Sequence, residues 1–399
     1  MSTIERTAAS GTADGAYRQL VWLTVALFLS YLCVAMALPA VPVHVTTRLG
    51  FGNAWAGFGV GIAFVSTILT RGLAGRMADR RGGKLTMIWG LAIYAAAGLV
   101  CAASSWEGFP VVVSYAGLLL GRLLLGVGES LGLVGVVAWA LGLMGPRRSG
   151  QVFNLIGMGL FGAFAAGGPL GVFLLDQVGF RGVMAACTLV PLVGLLMVLP
   201  VPAVTPIPGE RASFLSVLGR IWEPGLVVGF QGVGFAAIGA FMPLLFISRA
   251  WPHPGLGLSC FGVAFVLVRV LLGHLPDRLG SVRVATASLA VEAAGLYLLW
   301  AATGPELALA GAFLTGLGCS LIFPSMGIEV VRRVPPHLRG TASGGFAMFQ
   351  DLAYAVTGPV TGLLADRFGY SVVFLIGGLA ATVALALVGL IARERAPVA

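Results

Sequence analysis

Two residues of opposite charge lie inside one long apolar run of this chain. The run contains Arg122, Gly126 and Glu129, whose i, i+4 and i+7 spacing places them on one face of a helix. Seven residues rise by about 10 Å along a helix, so a direct ion pair between the two charges is strained. The spacing therefore predicts a site where a guanidinium and a carboxyl group bind a substrate and exchange a proton. A structural ion pair that orients this helix is the alternative.

Other polar residues interrupt the apolar runs farther along the chain. Asp351 follows Gln350 in a second run, and an ionised residue in mid-membrane costs roughly 2.5 to 3.5 kcal/mol on insertion scales. Asp351 is therefore a candidate for proton or substrate binding, and a polar contact between helices is the alternative. For Glu292 we favour structural pairing. Hydrogen-bonding groups of a cavity are predicted at Tyr31, Asn154, Gln231 and Gln350.

A charged motif occurs twice, each time between two apolar runs. The first copy is "RGLAGRMADRRGGK" at residues 71–84, and "RVLLGHLPDRLGSVR" follows at residues 269–283. Asp79 falls at the predicted end of a helix, where the macrodipole disfavours a negative charge by about 0.3 to 1 kcal/mol, so it needs a partner. Basic loops that only hold the orientation of the chain are the alternative interpretation. The candidate gating residues are Gly75, Asp79, Arg80, Gly82, Asp277 and Arg278.

The composition is that of a membrane protein. Hydrophobic residues make up 58% of the 399 residues and charged residues only 10%, whereas soluble domains carry about a quarter of charged residues. Runs long enough to cross the hydrocarbon core as helices, roughly 20 residues each, lie near residues 19–41, 54–75, 85–104, 110–143, 151–175, 181–201, 222–248, 255–275, 284–302, 306–331, 341–364 and 371–392. The sequence therefore predicts an all-α, polytopic membrane protein.

The net charge of +9 does not indicate a nucleic-acid partner, because the basic residues are unevenly distributed. If the N-terminus is cytoplasmic, the predicted outer side carries only Arg48, Arg181, Arg249 and Arg367, and all other basic residues outside the helices fall inside. The positive-inside rule then predicts that both termini are cytoplasmic. The expected partners are the lipid bilayer, protons and a small-molecule substrate, and we expect a monomer without cofactor or metal.

The chain is an internal duplication. Arg71 and Asp79 match Arg269 and Asp277 at one constant offset, and "GPLGVFLLDQVGF" at residues 168–180 matches "GPVTGLLADRFGY" at residues 358–370. A polar segment that contains proline separates the copies. The predicted domains are an N-terminal six-helix half at 1–200, a cytoplasmic linker at 201–220 and a C-terminal six-helix half at 221–399.

The motifs resemble those of the major facilitator superfamily. "GRMADRRGGK" is similar to the family's loop between helices 2 and 3, Arg122 with Gly126 resembles its motif on helix 4, and Gly168-Pro169 resembles the core of its helix 5 motif. "GRLLLGVGES", "SLIFPSMG" and "FQDLAYAVTGP" further resemble the YhhS and YfcJ branch of bacterial facilitators. The resemblance implies twelve transmembrane helices in two pseudo-symmetric halves, alternating access, and a latch role for Asp79 and Arg80.

The function implied is secondary active transport in a bacterial inner membrane, with proton-coupled efflux favoured by the resemblance. Phe164, Val172 and Phe173 occupy places where the family's antiporter motif has glycines, and this departure from the motif weakens the case for antiport. Proton-coupled uptake of a sugar or organic acid is a second hypothesis, and a membrane sensor that does not transport is a third. No enzyme constellation is found, and the sequence contains no glycine-rich phosphate loop followed by lysine.

Overall fold

A computed structural model describes residues 3–145, 148–205, 214–335 and 339–394. Every regular element in these ranges is an α-helix. The helices are α1 (Thr3–Thr47), α2 (Asn53–Arg81), α3 (Gly83–Ser104), α4 (Val111–Met144), α5 (Ser149–Val198), α6 (Phe214–Ser248), α7 (Leu256–Leu272), α8 (Leu275–Leu279), α9 (Ser281–Trp300), α10 (Pro305–Cys319), α11 (Ile322–Arg333), α12 (Arg339–Phe368) and α13 (Ser371–Glu394).

The helices have the length and surface that a bilayer requires. The described residues contain nine segments that are long and apolar enough to cross a membrane, and one of them, Pro305–Arg333, consists of α10 and α11 together. The exposed faces of the helices, including the shorter α7, carry large apolar side chains, such as Leu69 at 76% and Val270 at 74% exposure. Water would not tolerate so many exposed aliphatic groups, whereas lipid favours them. The all-helical polytopic fold predicted from the sequence is therefore confirmed, and the count of twelve spans stays a prediction.

Two predicted boundaries differ from the structure in detail. Residues 151–175 and 181–201 are predicted as two helices, and α5 covers both, with a bend at Gly179. Gly179 has a φ of 69°, a left-handed conformation that glycine adopts without steric cost. Conversely, the single helix predicted at 306–331 is interrupted at Ser320 and Leu321, between α10 and α11.

The chain divides into two compact units. Unit 1 consists of Met1–Val34, Ser66–Phe164 and Met184–Gly209, and unit 2 consists of Ala35–Val65, Ala165–Val183 and Glu210–Ala399. Each of α1 and α2 contributes one part to unit 1 and one to unit 2, whereas α5 contributes two parts to unit 1 and one to unit 2. The predicted division of the chain into six-helix halves at 1–200 and 221–399 therefore stays a proposal. Of the predicted linker at 201–220, residues 206–213 lie outside the described part of the chain.

In unit 1, α3 and α4 pack closely through small residues. A Cβ atom on Gly90 would overlap the backbone of Gly132, and one on Gly135 would overlap Met87. In lipid no hydrophobic force drives helices together, so their association depends on close van der Waals packing. Small residues permit that packing because they let the two backbones approach each other. The close packing holds α4 in place along most of its length. In unit 2, α6 packs on α12 and α13, and α9 packs on α10 and α13.

The only lysine of the chain caps the second part of α5. The ammonium group of Lys84 donates hydrogen bonds to the carbonyls of Leu199 and Val201, both at 2.7 Å. Trp139 adds a bond from its indole Nε1 to the carbonyl of Pro202 at 2.8 Å. The last carbonyls of a helix have no partner within the helix, and a cation there also interacts favourably with the helix dipole.

We expect Lys84→Met to lower the free energy of unfolding of the purified protein by about 1 kcal/mol, because two charge-assisted hydrogen bonds are lost at a half-buried position. Thermal unfolding in detergent, followed by tryptophan fluorescence, measures this change. Lys84→Arg is the matched control, since it keeps the charge and the donors and should lose less. An unchanged midpoint for Lys84→Met would contradict the capping role.

Candidate functional site

A buried carboxyl group lies at the centre of unit 1. α4 runs for 34 residues without an internal proline, from Pro110 to the left-handed Gly145, and its middle carries Glu129, which is only 2% exposed. The hydroxyl of Tyr31 donates a hydrogen bond to Glu129 Oε1 at 3.1 Å. The hydroxyl of Thr67 lies within hydrogen-bond distance of Oε2, at 3.3 Å. Three helices, α1, α2 and α4, therefore meet at one carboxyl group.

The hydroxyl of Thr67 lies within hydrogen-bond distance of two acceptors. Its hydroxyl also lies 3.1 Å from the carbonyl oxygen of Gly126, and its neighbour Ser66 donates to the carbonyl of Leu123 at 2.8 Å. A hydroxyl group carries a single hydrogen, so Thr67 donates well to either Gly126 or Glu129 at one time. The arrangement allows the hydrogen bonds to Glu129 to rearrange without a movement of the helices.

Arg122 lies on the same helix and is completely buried. It lies about 10 Å from Glu129 along the helix axis, and the ring of Tyr94 on α3 packs against Gly128 of the same helix. A buried guanidinium near a buried carboxyl group balances its charge in a medium of low dielectric constant. Tyr31, Thr67, Tyr94, Arg122 and Glu129 are called the Glu129 cluster below.

The sequence alone did not single out Thr67 or Tyr94. Threonine within a membrane helix commonly donates to a carbonyl of its own helix, as Thr24 does to Leu20 at 2.9 Å. Nothing in the spacing of α2 distinguishes Thr67 from such a residue. Tyr94 matches Glu292 in the repeat, at the same offset that relates Asp79 to Asp277, and this match was an available signal for a polar position on α3.

Unit 2 contains a second buried carboxyl group. Glu292 of α9 is completely buried, and its Oε1 accepts a hydrogen bond from Gln231 of α6 at 3.4 Å. Cys319 of α10 contacts the same carboxyl group through its thiol. Gln231 and Cys319 are thus uncharged neighbours of Glu292, whose Oε2 has no hydrogen-bond partner among the described residues, and structural pairing stays a prediction.

The candidate residues of α12 are also buried in unit 2. Gln350 is 8% and Asp351 5% exposed, and the side chain of Gln350 packs where α12 meets Gly232 of α6. One turn farther on, the ring of Tyr354 stacks on Phe235 with 5.6 Å between ring centroids. A small apolar cavity adjoins these two rings. Asp351 thus belongs to unit 2 and Glu129 to unit 1. The side chain of Asn154 lies outside the described residues.

The gating candidates occupy the end of α2 and its repeat. Asp79, Arg80, Asp277 and Arg278 are all exposed, and none of them has an ion pair or hydrogen bond to a described side chain. Gly75 faces open space.

The two matched glycines of this motif have a conformational role. Gly82 has a φ of 88° and Gly280 a φ of 92°, and each immediately precedes a helix. A residue with a side chain is strained at such angles, so these two positions favour glycine. The turn is therefore built in the same way in both copies.

Comparison with known proteins agrees with this architecture. The profile of the Major Facilitator Superfamily matches residues 23–254 and 225–399. An uncharacterised MFS-type transporter of Salmonella typhimurium is 42% identical over 93% of this chain and 96% of its own length. An uncharacterised MFS-type transporter of Burkholderia mallei is 37% identical over 92% of this chain and 91% of its own length.

A solved structure shows the same fold. The crystal structure of a D-xylose-proton symporter superimposes with a TM-score of 0.78 at 16% sequence identity, covering 94% of this chain and 97% of the other. The helical fold, the profile match over most of the chain and the relatives at 37 to 42% identity agree with one another. The chain therefore belongs to the Major Facilitator Superfamily, and it is a multi-pass membrane transporter.

Proposed function

We propose that this transporter is a proton-coupled carrier that exports a small polar or amphipathic molecule by alternating access. The observation that carries the proposal is the Glu129 carboxyl group, buried among hydroxyl donors from two other helices. Burying a carboxyl group within a membrane helix costs free energy, so its presence indicates a functional site by default. Export, rather than uptake, is favoured by the resemblance of the helix motifs to efflux-like carriers.

Proton binding at Glu129 changes its hydrogen bonds. The carboxylate accepts from Tyr31 and Thr67, whereas the protonated acid is itself a donor. Thr67 can then turn to the carbonyl of Gly126, which lies within its reach. Protonation also removes the negative charge that balances Arg122, so the guanidinium becomes available to an anionic or polar group of the substrate. A proton and a substrate are thereby coupled at one site.

Other parts of the proposal concern residues outside the Glu129 cluster. Asp351 is the second candidate for protonation, with Gln350 as a neighbouring hydrogen-bonding group. Asp79 and Arg80 form a latch at the inner ends of the helices, with Asp277 and Arg278 in a weaker equivalent role.

We further propose a monomer in a bacterial inner membrane with cytoplasmic termini, built from two six-helix halves.

A ligand screen tests the site. Thermal stability of the purified protein and of Arg122→Gln, which removes the proposed substrate contact, is measured with sugars, amino acids, organic anions and lipophilic cations at two pH values. A ligand at a hundred times its dissociation constant stabilises the protein by about 2.7 kcal/mol. We expect one class to stabilise the wild type and not the variant. If every active compound stabilises both proteins equally, the Glu129 cluster is not the binding site.

A further inference from the structure

A group of polar contacts between distant parts of the chain lies within unit 2, at the start of α2. The carboxylate of Asp366 accepts hydrogen bonds from the backbone N–H of Asn53 at 3.0 Å and from its side-chain Nδ2 at 2.8 Å. The backbone N–H of Ala54 lies 3.3 Å from the other oxygen. Tyr370 donates from its hydroxyl to Asn53 Oδ1 at 2.8 Å. Four hydrogen bonds thus connect α2 with the end of α12 and the turn after it.

Helix electrostatics explain why Asp366 occupies this position. Asp366 lies in the last turn of α12, where the dipole disfavours a negative charge, and it faces the first turn of α2, where the dipole favours one. The N–H groups of Asn53 and Ala54 have no acceptor within their own helix, because they begin it. The carboxylate therefore accepts from the unpaired N–H groups at the start of α2, and the favourable dipole of α2 offsets its unfavourable position at the end of α12.

The backbones of the two helices touch below this contact. A Cβ atom on Gly57 would overlap the carbonyl of Gly358, and one on Gly61 would overlap the carbonyl of Ala355. These glycines continue the face of α2 that begins at Asn53, at intervals of four residues. The two helices therefore fit together without intervening side chains, and small residues of this kind allow a contact to form and separate without repacking.

The repeat contains the same aspartate without the contact. Asp366 matches Asp176 at the corresponding place of "GPLGVFLLDQVGF", near the bend of α5. Asp176 is exposed and makes no hydrogen bond or ion pair within the described residues. Membrane topology and helix propensity would favour an aspartate at both positions equally. The hydrogen bonds of Asp366 therefore depend on the packing of α12 against α2, and Asp176 has no equivalent of them in the described part of the chain.

We propose that Asp366, Asn53 and Tyr370 form a latch that holds the outer ends of α2 and α12 together during one part of the transport cycle. This inference rests on the proposed alternating access and on the proposed orientation, in which this end faces away from the cytoplasm. Asp366 is a positioning residue, because it acts through the helix start of α2 and not on the substrate. The bonds are exposed to water, which makes the latch reversible. Burial raises the pKa of the Tyr370 phenol, so it retains the proton that it donates to Asn53.

The test measures opening of this contact directly. Ala355 of α12 packs against Gly61 of α2 and is only 8% exposed, so Ala355→Cys reports opening through its rate of labelling by a hydrophilic maleimide. The native cysteines are buried except Cys260, which is replaced by serine in the background protein. We expect Asp366→Asn to raise the labelling rate about fivefold in detergent, because an amide accepts fewer hydrogen bonds and loses the attraction to the helix dipole.

Asp176→Asn is the matched control and should leave the labelling rate unchanged. An unchanged rate for Asp366→Asn, or an equal rise for Asp176→Asn, would overturn the latch. The thermal midpoint is measured for each variant. If Asp366→Asn lowers it, Tyr370→Phe decides, since it removes a single hydroxyl: a rise of about twofold supports the latch, and no rise rejects it. The assay needs neither substrate nor proton gradient, so its outcome is independent of proton coupling at Glu129.

Discussion

Glu129→Gln is expected to abolish accumulation of the substrate against a gradient while leaving exchange intact. With one proton per substrate, a pH difference of one unit supplies about 1.4 kcal/mol and supports an accumulation ratio of roughly ten. The amide has the size of the carboxyl group and can still accept from Tyr31, but it does not bind and release a proton. The ratio should therefore fall from about ten to about one.

Proteoliposomes with an imposed pH gradient measure this ratio, and counterflow of labelled substrate without a gradient measures exchange. Glu292→Gln is the matched control, because it alters an equally buried glutamate that lies in unit 2 with uncharged partners. We expect this control to accumulate substrate normally. Normal accumulation by Glu129→Gln would refute its assignment as the proton site, and Asp351→Asn would then be the next variant to measure.

Asp79→Asn is expected to reduce the rate of transport at least about tenfold without affecting stability. Asp79 is exposed and has no ion pair or hydrogen bond to a described side chain, so its loss should change the free energy of unfolding by no more than about 0.5 kcal/mol. A large loss of transport at unchanged stability would mean that the carboxylate acts in another conformation of the cycle, as a latch does.

Transport rate, membrane abundance and thermal midpoint are measured together for this variant. Asp277→Asn is the control from the second copy of the motif, and a smaller loss of transport is expected because its latch role is weaker in the proposal. If Asp79→Asn transports at the normal rate, the loop has only the topological role that its basic residues already explain. A reduced abundance with a normal rate per molecule would lead to the same conclusion.

The Glu129 cluster shows how far the spacing of residues predicts a site. Helical periodicity places Arg122 and Glu129 on one face of α4 from the sequence alone, because both lie within one uninterrupted helix. Periodicity carries no information about Tyr31 and Thr67, which reach the same carboxyl group from two other helices. Contacts of this kind depend on how helices cross, and many different side chains are compatible with one crossing.

The sequence by itself determined the membrane class, the helical fold, the duplication and the family, since apolar length, backbone hydrogen bonding in lipid and repeated motifs permit few alternatives. The bend at Gly179 also falls within the break between the helices predicted at 151–175 and 181–201, although the structure continues α5 through it. Only the tertiary structure separated Asp366 from its repeat partner Asp176. Both stand in the same local sequence, but the start of α2 provides donors to one of them, and this difference depends on packing between residues more than 300 positions apart.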